Sequence, residues 1–80
     1  MNLQKKEKKY KVMLEIIKNE MEWLTSNENY YGSKEQIKNE KMITRFAFKD
    51  LGIEMKHKEC LEEFYFRIAV AYKLQHEEML

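Results

Sequence analysis

His57 and Cys60 stand three residues apart, a spacing that would put an imidazole and a thiol on one face of a helix. Zinc needs three or four such ligands at recognisable spacing. Cys60 is the only cysteine and His76 the only other histidine, so the ligand set falls short. A thiol nucleophile would need its histidine oriented by a third group, which the sequence does not offer. Glu62-Glu63 and Glu77-Glu78 are adjacent pairs, so on a helix their carboxylates point in different directions. There is no glycine-rich phosphate loop and no specific Ser-His-Asp set. The residues therefore predict a protein with no catalytic centre, no metal and no cofactor.

Residues suited to binding are more numerous. Tyr30 and Tyr31 sit beside Gly32 in a polar stretch. Packed inward, they would form a lid on a core. Turned outward, they could stack on a base, with Lys34, Arg45 or Arg67 holding a phosphate, as in a small nucleotide-sequestering protein. Lys5, Lys6, Lys8, Lys9 and Lys11 form a basic run against the single Glu7, and could meet a phosphate backbone or an acidic partner. The order helix, Gly52, helix is the skeleton of a helix-turn-helix. The residues after it, from Glu54 to Glu63, are mixed in sign, which does not suit a recognition helix.

These residues must be carried by helices. The chain has no Pro, two Gly and a composition rich in Lys, Glu, Ile, Leu and Met. Tyr10, Met13, Leu14, Ile17, Met21 and Leu24 recur at three and four, predicting a helix over residues 3–24 with Asn2 as its cap. Thr25 to Gly32 reads as a connection. Ser33-x-x-Gln36 is a capping-box pattern opening a second helix over 34–51, with Ile37, Met42, Ile43, Phe46, Ala47 and Leu51 inward. Gly52 ends it, and Ile53 is placed to touch Phe48. Leu61, Phe64, Tyr65, Ile68 and Tyr72 form the stripe of a third helix over 56–76. Short connections predict an all-α, up-down-up three-helix bundle, with residues 1–80 as one domain.

Two helices carry a second apolar face. Val12, Ile16 and Trp23 lie off the main stripe of the first, and Phe66, Val70 and Leu74 off that of the third. Three helices cannot all be central, so at least one such face is expected at an interface, in a homodimer or with a protein partner.

Fifteen basic and fourteen acidic residues leave a net charge of +1, which exerts no global pull toward nucleic acid or membrane. No apolar run approaches the roughly 20 residues of a membrane span. The basic N-terminus is not followed by an uninterrupted signal-peptide core. One cysteine excludes an internal disulfide and fits a reducing, cytoplasmic compartment. Heavy use of Lys, Asn, Ile, Tyr and Phe fits an AT-rich genome, that of a low-GC bacterium or its phage. The leading expectation is a non-enzymatic protein that binds another macromolecule, such as a phage or mobile-element accessory protein inhibiting a host defence protein. The alternatives are a nucleic-acid-associated regulator using the lysine run and the nucleotide-sequestering protein.

Overall fold

A computed structural model describes the backbone of residues 2–78 and the side chains of residues 8–74. Lys5, Lys6 and His76 have side chains outside the described residues. The chain forms three helices, with no strand among the described residues: α1 (Asn2–Ser26), α2 (Lys34–Phe46) and α3 (Leu61–Glu78). α2 runs directly into a π turn over Ala47–Leu51. At about 1.5 Å per residue α1 alone is about 37 Å long, and it sets the 40 Å long axis of the molecule. α1 packs against both α2 and α3, whereas the backbone of α3 meets the second segment through the π turn.

The core follows the helical periodicity. Met13 and Ile17 of α1, Ile43, Phe46 and Ala47 of the second segment, and Leu61, Phe64, Tyr65 and Ile68 of α3 form one buried cluster. Tyr10, Met21 and Leu24 pack against it, as expected of the α1 stripe. Tyr72 completes the buried stripe of α3. Tyr10 also meets Phe46 and Tyr72 edge-on, at 5.8 and 5.5 Å between centroids.

Four expectations need correction. Ile37 and Met42 are exposed, not core. Two polar side chains, Glu20 and Gln36, are buried instead. Ile53 packs against the core while Phe48 faces solvent. α3 starts at Leu61, later than residue 56. The stretch before it is held by Arg67 in a nonhelical path. Arg67 donates to both Glu59 carboxylate oxygens, at 2.7 and 2.9 Å, and to the Glu54 carbonyl at 2.6 Å. The Lys56 N–H donates to Glu59 Oε1 at 2.9 Å, and the Glu59 N–H returns to the Lys56 carbonyl at 3.1 Å. This closes a tight turn with Lys58 in the left-handed region, at φ 70°. A nine-residue connection, residues 52–60, is also longer than the three or four residues of a helix-turn-helix turn.

The helix ends show why the connections begin where they do. Ser33 is the N-cap of α2, its hydroxyl accepting the Gln36 N–H at 3.1 Å. The Gln36 side chain reaches back one residue further than a capping box requires, to the Gly32 N–H at 2.9 Å. At the other end Gly52 takes φ 67°, and the Ile53 N–H bonds the Ala47 carbonyl at 3.0 Å. That loop is one residue wider than a Schellman cap, because the π turn precedes it.

The Arg67 tie makes acid stability testable. The hydrogen bond from Arg67, then that from the Lys56 backbone, holds the Glu59 carboxyl down at about 2 from its ordinary 4.5. A lowered folded value means a contribution fully present above pH 4.5 and lost as pH falls from there through about 2. Denaturant titrations of the parent and Glu59→Gln should differ by a constant amount above pH 4.5, and the difference should close toward pH 2. A difference that is flat across the acid range would show that the tie contributes nothing to folding.

Candidate functional site

An open groove of about 830 Å³ lies between α1 and α2. Its cations come chiefly from α2. Lys34, Lys38, Lys41, Arg45 and Lys49 follow one another at four, three, four and four residues, and so share the side of the helix away from Ile43. Lys9 of α1 joins them, and its ammonium pairs with Asp50 at 3.0 Å. Among the described residues Asp50 is the single acid lining the groove. Among the described residues none of these four α2 cations, nor Lys49 of the π turn, has an ion-pair partner. The rest of the lining is apolar, with buried Met13 and Phe46 at the floor and exposed Ile37 and Met42 beside the cations. A surface of this kind attracts anionic groups and can bury apolar ones next to them.

A second, smaller cleft has the opposite sign. It encloses about 380 Å³ between α1, the α1–α2 connection and the start of α2, and Glu20, Glu35, Trp23, Tyr30, Asn19 and Asn39 line it. The connection places Tyr30 by a chain of turns. The Asn29 N–H bonds the Asn27 side chain, the Tyr30 N–H the Asn27 carbonyl, and the Ser33 N–H the Tyr30 carbonyl, each at 3.1 Å. Tyr30 is thereby turned inward, where its hydroxyl donates to Glu20. Burial, reinforced by that carboxylate, pushes the hydroxyl up to about 12, so it stays protonated and keeps donating. Tyr31 faces solvent, at 68% exposure.

The residues expected to hold a nucleotide are therefore not brought together. Lys34 and Arg45 line the cationic groove, Tyr30 belongs to the acidic cleft, and Arg67 is engaged by Glu59. Carboxylates beside Tyr30 would repel a phosphate. Of the N-terminal lysines, Lys8 and Lys11 are exposed and Lys9 serves the groove. On the second apolar faces, Val12, Trp23, Phe66, Val70 and Leu74 are exposed, while Ile16 is half-buried against the core. Cys60 is exposed and its thiol lies 3.2 Å from Glu63 Oε1. No group of three His, Cys, Asp or Glu side chains is placed to hold a metal among the described residues. No helix among them is long and apolar enough to cross a membrane.

The α2 stripe was missed in the sequence because its cations are spread through acids such as Glu35 and Glu40, whereas the N-terminal lysines are contiguous. The signal was their helical spacing. The contrast between the two tyrosines can be measured. Tyr30→Ala should cost about 3–5 kcal/mol in denaturant unfolding, as for a buried aromatic truncation. Tyr31→Ala and Phe66→Glu should change stability by no more than about 0.5 kcal/mol. Equal losses at Tyr30 and Tyr31 would contradict this placement. The chain matches no protein family, and no curated protein or solved structure is significantly similar to it.

Proposed function

We propose that the protein is a non-enzymatic binding module, and that its groove between α1 and α2 receives an acidic, partly apolar segment of a partner protein. The observation that carries this reading is the row of five cations, four on α2 and Lys49 on the π turn that continues it, with no ion-pair partner among the described residues. Like charges three or four residues apart on an isolated helix cost about 0.2–0.5 kcal/mol per pair. The row contains four such neighbours in succession, so it works against the helix it sits on. An anionic partner relieves that repulsion.

Exposed Ile37 and Met42 favour polypeptide over nucleic acid as the partner, since a phosphate backbone gives them nothing to cover. Among the described residues no exposed aromatic ring lines the groove for base stacking. The stripe runs about 22 Å along the helix, the length of about 15 helical residues. Occupying a partner's acidic segment would block whatever else that segment binds.

The test uses a fluorescein-labelled helical peptide of about 15 residues, with Leu on one face and Glu on the other. It should bind saturably, and Lys41→Glu combined with Arg45→Glu should weaken binding at least about tenfold without loss of helicity. Lys41→Gln should weaken binding while raising stability by a few tenths of a kcal/mol, about the size of the repulsion removed. Unchanged peptide affinity in the charge-reversed protein would refute the reading. Tighter binding of a short DNA duplex than of the peptide would overturn it in favour of nucleic acid, marked by a steep salt dependence.

A further inference from the structure

The acidic cleft holds a feature that neither the fold nor the groove explains. Glu20 is only 4% exposed. Its Oε1 accepts both the Tyr30 hydroxyl and the Asn39 amide, while its Oε2 is buried with no hydrogen-bond partner. No Lys or Arg lines the cleft, and Glu20 has no ion-pair partner among the described residues. A buried carboxylate left in this state is costly, because it loses hydration without gaining a counter-charge. Tyr65 Oη is also buried without a partner. A water between it and Glu20 could serve the hydrogen bonding of both, but it would bring no positive charge.

We propose that this cleft is a receptor site for a guanidinium group. The walls suit an organic cation. Trp23 and Tyr30 stand edge-to-face with centroids 5.1 Å apart, and Trp23 is 52% exposed. Trp and Tyr are the rings that hold cations over their faces, and a planar guanidinium stacks there better than an ammonium. Glu20 supplies a carboxylate at the buried end, and Glu35 a second at the exposed side. The side-chain carbonyls of Asn19 and Asn39 can accept further N–H groups, matching the five donors of a guanidinium. About 380 Å³ is enough for the head of an arginine side chain or a small guanidino compound. The Tyr30 hydroxyl and the Asn39 amide both go to Oε1, which leaves the buried Oε2 as the acceptor without a partner.

Trp23 is the only tryptophan, so its fluorescence reports on the cleft alone. The full chain would be titrated with N-acetyl-arginine amide, with its neutral citrulline counterpart and with agmatine. A saturable change with the arginine derivative, at least tenfold weaker with citrulline, is the expected result. Glu20→Gln and Glu35→Gln should each weaken binding at least fivefold. Glu35 is exposed, so its variant should keep the fold and decides the matter even if Glu20→Gln unfolds. Preference for the arginine amide over agmatine would identify a protein side chain as the source, and the reverse a free guanidino compound; either supports the site. No saturable response, an equal response to citrulline, or undiminished binding by Glu35→Gln would overturn the proposal.

Discussion

The buried carboxylate of Glu20 is the constraint around which the first half of the molecule is arranged. It can enter the interior only if donors meet it there. Tyr30, ten residues on, and Asn39, nineteen residues on, both reach the same oxygen. α1, the connection and α2 are thereby brought to one point, each from a different part of the chain. Apolar contacts alone would let two helices slide with little penalty. A polar contact of fixed reach does not, so Asn39 sets how α2 lies along α1. With that register fixed, Lys34, Lys38, Lys41 and Arg45 are left on the outer side of α2, and Lys9 comes alongside to pair with Asp50. The acidic cleft and the cationic groove are two consequences of one register.

The second half depends on a different device. α3 is the most apolar helix, and its stripe would dock against almost any greasy surface. Its approach is set by the connection, which leaves the π turn at Gly52 and is pinned by Arg67. One guanidinium grips Glu59 and the Glu54 carbonyl while lying 5.9 Å from the centre of the Phe64 ring. The grip holds the connection against α3 and keeps residues 54–60 from extending the helix backward. It also removes Arg67 from any pool of residues free to bind a ligand.

Much of the fold was legible because apolar spacing is what the core obeys. The α3 stripe and the α1 stripe were both readable by counting threes and fours. Failures occurred where a polar residue took an apolar slot. Glu20 follows Ile17 by three and Met13 by seven, and Gln36 precedes Ile43 by seven, so both stood on the buried faces by spacing alone. Counting apolar residues alone placed Ile37 and Met42 inward on α2, whereas buried slots went to Glu20 on α1 and Gln36 on α2. The missing information was not local: nothing near Glu20 announces a tyrosine and an asparagine from distant segments. The start of α3 failed for a related reason, since Arg67 acts on residues eight and thirteen positions before it.

A net charge of +1 conceals a segregated surface. Cations line up on the outside of α2, while carboxylates gather where α1 meets the connection. Random placement of fifteen basic and fourteen acidic residues would intersperse the signs, and interspersion stabilises helices through opposite-charge neighbours. Here the row on α2 sets like charges together, and the cleft buries an acid without a base. Both arrangements oppose the stability of an 80-residue chain that has little to spare. The cation row is not required by the apolar core, which closes through the opposite side of α2, whereas Glu20 takes a position on the buried face of α1 itself. Local rules are thus broken at a stability cost, and in opposite senses, at two separate concavities, and the two proposed binding sites rest on those departures.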